Sequence, residues 1–159
     1  MKRYVILCVD DEREVLDALV ADLGPFETLG FRIEAASSVA EARQISDSLG
    51  EDQLALVLCD HLMPGELGVD YLVSLSRRHA TRRTRKVLVT GQAGLQDTVR
   101  AVNEAGLDHY IAKPWTAEVL RSVARKLLTD FVIDVDESPQ RFAHGLDFAR
   151  IMEAVRGDV

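Results

Sequence analysis

Cysteine is scarce in this chain. Cys8 and Cys59 are the only two, and each sits inside a run of apolar residues. Thiols in that setting act as small hydrophobic side chains, so neither a disulfide framework nor a thiolate metal centre is expected, and the compartment they suit is a reducing one. Long apolar runs are missing as well: none approaches the roughly 20 residues of a membrane-spanning helix. The first run, Tyr4–Val9, follows Met1-Lys2-Arg3 but ends at Asp10-Asp11-Glu12, too short and too acidic in its sequel for a secretion signal. A cytoplasmic location without membrane contact is the expectation. Positive charge is in deficit, with a formal net charge of −7, which argues against a nucleic-acid-binding surface. The one basic run, Arg77-Arg78 with Arg82-Arg83 and Arg85-Lys86, reads as a solvated loop. Low-complexity segments are absent. What is left, 159 residues with 47% hydrophobic and 28% charged side chains, is enough for one domain with a full core and an appendage.

The hydrophobic pattern alternates between two periods. Tyr4–Val9 is a continuous apolar run with β-branched members and reads as a buried strand. Val15, Leu16, Leu19, Val20 and Leu23 then fall at helical spacing. Asp10 or Asp11 is the expected N-cap of that helix, and Gly24-Pro25 its end. An alternating edge strand at 31–35 leads to a helix at 39–49, opened by Ser37-Ser38 and closed by Gly50. The third strand is the most apolar, Leu54-Ala55-Leu56-Val57-Leu58-Cys59, and it runs into Asp60 before Pro64-Gly65 breaks the chain. A helix from Gly68 to about 78 follows, with Val69, Leu72, Val73 and Leu75 inward. A strand at 86–90 ends in Thr90. The next helix, 94–105, places Leu95, Val99 and Val102 at helical spacing. A short strand at 109–112 ends at Lys113-Pro114. Thr116 caps a last helix whose expected buried stripe is Val119, Leu120, Val123, Leu127 and Leu128.

Five repeats of strand then helix predict a parallel sheet covered by helices on both faces. The expected fold is a flavodoxin-like (βα)5 doubly wound α/β sheet, strand order 2-1-3-4-5, with an extra C-terminal helix. In that order the strands ending at Asp10-Asp11 and at Asp60 are neighbours, and their carboxyl ends meet at the switch point where such folds hold ligands. Three converging carboxylates repel one another, and a divalent cation such as Mg²⁺ relieves that repulsion. Thr90 and Lys113 end the next two strands on the same rim. A hydroxyl and an ammonium beside an acidic metal site suit a phosphoryl group, with Asp60 as the nucleophile that becomes an acyl phosphate.

These residues resemble the receiver domain of two-component response regulators. The matching motifs are Val9-Asp10-Asp11-Glu12, Leu58-Cys59-Asp60 with Met63-Pro64 and Gly68, Val89-Thr90-Gly91, and Ile111-Ala112-Lys113-Pro114, and the resemblance spans residues 3–130. It implies that Asp60 takes a phosphoryl group from a phosphohistidine of a sensor histidine kinase or phosphotransfer protein. It implies Mg²⁺ held directly by Asp11 and Asp60, by Asp10 largely through water, and by the backbone carbonyl of Leu62. Thr90 matches the switch hydroxyl, Lys113 the lysine that pairs with the phosphoryl group, and Tyr110 the aromatic switch. The surface formed by the fourth helix, fifth strand and fifth helix would then change its affinity for an output domain or downstream protein. Such a domain is a signalling module that assists its own phosphorylation, and is not an enzyme with an external substrate. Leu62 departs from the polar residue often found there, which bears on access of water to the phosphoryl group. Gln92 is at a second position tied to dephosphorylation. Trp115 resembles receivers joined to cyclic-dinucleotide phosphodiesterases or hybrid kinases.

Two other readings compete with this one. An Asp-nucleophile phosphatase of the haloacid dehalogenase type needs a second aspartate where this chain has Leu62. An adaptor that is never phosphorylated keeps the fold, but such chains lose an acidic residue or the lysine, and none is lost here. The receiver unit is expected to be complete by residue 131. Residues 132–159 read as an acidic linker, Asp134-Val135-Asp136-Glu137, and an amphipathic helix from Ser138-Pro139, or as the start of an output region. Phe142, Leu146, Ala149 and Met152, with Ile151 or Val155, would form its apolar side, a surface for a second copy of the chain or a cover for the signalling face.

Overall fold

The apolar runs of the sequence become β1 (Tyr4–Val9), β2 (Arg32–Ala36), β3 (Gln53–Cys59), β4 (Arg85–Thr90) and β5 (His109–Ala112). In the computed structural model, which describes residues 3–91 and 94–157, they pair in parallel as one sheet in the order β2-β1-β3-β4-β5. The helices are α1 (Arg13–Leu23), α2 (Val39–Asp47), α3 (Gly68–Arg77), α4 (Leu95–Arg100), α5 (Ala117–Val135) and α6 (Phe148–Gly157). No described helix is long and apolar enough to cross a membrane.

Alternation along the central strands sends residues to two cores. Tyr4, Ile6 and Cys8 of β1 pack with α1, α5 and the C-terminal segment. Val5, Leu7 and Val9 pack with α2, α3 and the residues after α4. The register between β1 and β3 slips by one residue after Val5, which pairs with Leu54, whereas Ile6 pairs with Leu56. Ala55 is the extra residue, and so Ala55 and Leu56 share one core instead of alternating. Because β1 and β3 are central and covered on both faces, they end side by side, and Asp60 N–H donates to the Val9 carbonyl at 2.9 Å.

Local chemistry explains where the helices begin. Ser38 accepts from the Glu41 N–H at 3.1 Å and Thr116 from the Val119 N–H at 3.2 Å, so both act as N-caps. The expected cap of α1 is different. Neither Asp10 nor Asp11 occupies the N-cap position, which is Glu12. Asp10 instead turns back to accept the Glu12 N–H at 2.8 Å, a local Asx-type bond that keeps its carboxylate at the rim.

The structure shows which way α4 faces and corrects expectations for α5 and the C-terminal segment. In α4 the apolar residues face outward: Leu95 is 81% exposed, Val99 and Val102 about half. The helix rests on Ala101 and Ala105, which are buried in a π-helical segment, Ala101–Ala105, that continues it. Small side chains let that segment lie close to α3, and Ser76 Oγ donates to the Glu104 carbonyl at 2.9 Å. In α5, Val119 is half-exposed and leaves the buried stripe to Leu120, Ala124, Leu127, Leu128 and Phe131. The same helix runs through Val135, so Asp134 and Val135 form its last turn and are not linker. After it, Pro139–Phe142 is a short 3₁₀ turn and the long helix begins at Phe148, ten residues later than Ser138. Phe142, Leu146 and Ile151 are buried as expected, whereas Ala149 is exposed. Phe142 joins Tyr4, Phe31 and Phe131 in an aromatic cluster at the pole where β1 starts.

The basic loop is more engaged than a solvated run. Arg83 and Arg85 both bind Asp134 of α5, and Arg78 pairs with Asp47.

Candidate functional site

At the carboxyl edge of the sheet the strand ends bring Asp10, Asp11, Asp60, Thr90 and Lys113 together. Oxygens of Asp10, Asp11 and Asp60 lie within 4.8 Å of one another. Asp10 is fully buried, Asp60 is 5% exposed, and Asp11 is open to solvent. Lys113 Nζ reaches across from the end of β5 to Asp10 Oδ2 at 2.7 Å and Asp60 Oδ2 at 3.3 Å, with Glu12 Oε1 at 4.0 Å. Three carboxylates thus face one ammonium, and net negative charge remains for a cation.

The electrostatics follow from burial. Desolvation pushes the Asp10 carboxyl above its usual range, against hydrogen bonds from Lys113 and the Glu12 N–H that favour its charge, and with Asp60 adding repulsion. For Lys113, burial disfavours the charged form, but the hydrogen bond to Asp10 and the charges of Asp60 and Asp10 outweigh it, so its affinity for the proton is raised. The two cysteines in the strands beside the site are driven the other way from reactivity: burial pushes Cys8 up to about 12, and Cys59 higher still, with Asp60 and Asp10 adding to the effect.

A cleft of about 320 Å³ opens over this cluster, lined by Glu12, Asp60, Leu62, Thr90, Gly91 and Lys113. Leu62 is 46% exposed at its rim. Thr90 is buried at the end of β4, and its carbonyl accepts from the Tyr110 hydroxyl at 3.1 Å. Tyr110 is 37% exposed, so its side chain is partly open to solvent while its hydroxyl stays tied to the end of β4. Gln92 lies outside the described residues. Gly68 is required by close approach, since a Cβ there would stand 1.8 Å from the Asp60 carbonyl oxygen and 3.0 Å from Cys59 Sγ.

Residues 6–125 match the response regulator receiver domain family. The chain belongs to that family. Receivers are signalling modules of two-component systems that bind Mg²⁺ at an acidic pocket, and this chain carries a cluster of three aspartates. Among curated relatives, the chain is 34% identical over 125 residues to the hydrogenase transcriptional regulatory protein HoxA of Cupriavidus necator, covering 79% of this chain and 24% of HoxA. It is 32% identical over 123 residues to the transcriptional regulatory protein CpxR of Escherichia coli K12, covering 77% and 48%. The receiver thus spans about a quarter to a half of these relatives. A solved receiver domain protein (CheY-like) from Methanospirillum hungatei JF-1 superposes with a TM-score of 0.73 at 28% identity, covering 84% of this chain and 99% of that one.

The sequence reading missed two residues of this region. His61, directly after Asp60, is 1% exposed, and its Nε2 lies 3.0 Å from Asp97 Oδ2 in α4. The available signal was a polar side chain in a stretch that is otherwise buried, next to the strand-ending carboxylate.

Proposed function

We propose that this receiver accepts a phosphoryl group on Asp60 from the phosphohistidine of a sensor histidine kinase or phosphotransfer protein. The observation that carries the proposal is the pairing of Asp60 with Lys113 at 3.3 Å in the floor of a solvent-open acidic cleft. A carboxylate oxygen of Asp60 attacks phosphorus, the P–O bond forms as the P–N bond breaks, and the electron pair leaves on the imidazole nitrogen, which solvent reprotonates. Lys113, held at the mouth by Asp10, is placed to turn from the Asp60 carboxylate to a phosphoryl oxygen. Thr90, at the end of β4, would supply its hydroxyl to another. Bound Mg²⁺ supplies positive charge that offsets repulsion between the carboxylates and the incoming group. Asp11, exposed, together with Asp60 and the Leu62 carbonyl would hold it directly. Asp10 is already engaged by Lys113 and the Glu12 N–H, which suits it to act through water. Leu62 at the rim keeps the approach to Asp60 apolar and slows attack by water.

The output face we assign to α4, β5 and α5, where Leu95, Val99, Val102, Tyr110 and Val119 are exposed together. Phosphoryl contacts with Thr90 would alter the carbonyl that Tyr110 holds and so shift the ring between two poses. The partner would be an output domain or a downstream protein in the cytoplasm. The phosphorylatable unit is residues 1–131 with the last turn of α5, and the segment to 159 is an appendage on the far pole.

Incubation with acetyl phosphate and Mg²⁺, followed by intact mass, tests this. The expected result is a single phosphoryl adduct, abolished in Asp60→Asn and retained in Glu34→Gln, a remote carboxylate of β2. An adduct that survives Asp60→Asn, or none on the wild-type chain, would overturn it.

A further inference from the structure

His61 touches both ends of a connection that the switch residues do not make. Its backbone N–H donates to Asp60 Oδ1 at 2.8 Å, and its carbonyl accepts from Gly68 N–H at 2.9 Å, so the peptide is fixed against the nucleophile. Its ring is buried and points toward α4, with Nε2 3.0 Å from Asp97 Oδ2 in the first turn of that helix. A carboxylate only accepts, so Nε2 carries the proton. Nδ1 is buried with no hydrogen-bond partner among the described residues. An imidazole at this position therefore leaves one polar atom desolvated and uncompensated, a cost that an apolar side chain in the same slot would avoid. The bond to Asp97, the one hydrogen bond of the ring among the described residues, distinguishes it from such a filler.

The helix at the other end is weakly held. None of the residues of Leu95–Arg100 is buried, and its large apolar side chains face solvent. Its first turn is thus positioned by few contacts, of which the His61 bond comes from beside the phosphoacceptor. We propose that His61 is a positioning residue that couples the state of Asp60 to the pose of the first turn of α4 through Asp97, by a route separate from Thr90 and Tyr110. This rests on the reading of Asp60 as the phosphoacceptor. Before phosphorylation the His61 N–H donates to an ionised carboxylate, a charge-assisted bond. After it, the carboxyl has become an acyl phosphate, its charge has moved to the phosphoryl oxygens, and that bond weakens. The ring is close-packed and has little freedom to absorb a shift of its own backbone, so displacement passes to Asp97 and to the apolar residues Leu95 and Val99 beside it.

Hydrogen exchange over residues 94–105 of the full chain, with and without acetyl phosphate and Mg²⁺, tests the coupling, with intact mass read on the same samples. Asp97 is substantially exposed, so Asp97→Ala removes the acceptor without opening a core cavity, and His61→Gln keeps a donor near Nε2 that His61→Leu removes. The wild-type chain should show a phosphorylation-dependent change in exchange at the start of α4. In Asp97→Ala and His61→Leu that change should shrink by about five-fold, the size a single ordinary hydrogen bond contributes, whereas His61→Gln should keep most of it and the change at β5 should persist throughout. A full wild-type response at α4 in adduct-bearing Asp97→Ala would overturn the coupling alone. Absence of an adduct on the wild-type chain would overturn the reading of Asp60 and the coupling with it.

Discussion

At the scale of single residues, the site depends on a side chain that is missing. Gly68 lies so close to the Asp60 carbonyl that a methyl group would stand 1.8 Å from it. Either α3 or the Asp60 backbone must move to admit one. Gly68→Ala is therefore expected to cost about 2–3 kcal/mol by overpacking and to slow adduct formation at Asp60, because the carboxylate is displaced from Lys113. Urea unfolding and the rate of phosphorylation by acetyl phosphate check both halves. Wild-type stability with a wild-type rate would show that the loop yields freely. Lys113 illustrates the opposite kind of control. Its ammonium is held by two carboxylates against a burial penalty, so it is charged and in position before any phosphoryl group arrives.

At the scale of elements, the C-terminal segment is anchored by Asp136. This carboxylate accepts from the Tyr4 hydroxyl, from the Ser138 N–H at 2.8 Å and from Arg141 at 2.8 Å. Burial works against its charge, but the bonds from Arg141, Tyr4 and Ser138 prevail and hold it below the usual carboxylate range. A depressed folded-state value contributes stability that is present above the unfolded-state value, about 3.9, and is lost as pH falls through the lower folded value. Tyr4 has the opposite sign. Burial and Asp136 raise it, so its contribution is complete below about pH 10 and declines as pH rises through the raised value. Wild type should therefore melt about 2–4 °C above Asp136→Asn at pH 6, and the gap should close toward pH 2. A gap independent of pH would sink this account of the anchor. The same segment fits closely: a Cβ on Gly145 would meet Leu29 at 2.1 Å, so its path is fixed by contact with the 3₁₀ turn that follows α1, Gly24–Leu29, as well as by charge.

At the scale of the whole molecule, the sheet gathers acidic groups from two strands at one point and leaves them short of positive charge. Mg²⁺ should raise the melting temperature, and at 100 times its dissociation constant the stabilisation is about 2.7 kcal/mol. Excess chelator should reverse it and Asp11→Asn should blunt it. Calorimetric or fluorescence melts with Mg²⁺ and with EDTA measure this, and an identical shift in Asp11→Asn would rule out the assigned cluster. The sheet itself was legible in the sequence because central parallel strands are buried on both faces and read as unbroken apolar runs. The shared rim of Asp10, Asp11, Asp60, Thr90 and Lys113 was legible too, since each stands at or just past the end of a strand. Helical periodicity gave the axis of α4 but not which side faces inward: its stripe Leu95, Val99, Val102 is the outer side, and Ala101 and Ala105, less conspicuous, are the inner one. Ser138-Pro139 carries the chemistry of a helix start, yet the chain needs a 3₁₀ turn there to bring Phe142 into the aromatic cluster. The His61–Asp97 bond was invisible because it joins residues 36 positions apart and neither belongs to a strand-end motif.

The chain has one tryptophan, and it stands two positions after Lys113. Its indole N–H donates to Asp22 of α1 at 2.9 Å, and its ring borders an apolar recess with Val15, Ala18 and Pro114. The indole fluorescence of this protein thus comes from the loop that carries the site's lysine. No dye or label is needed: the arrival of a phosphoryl group, or of a protein docking across α1, can be followed as a change in the protein's own light.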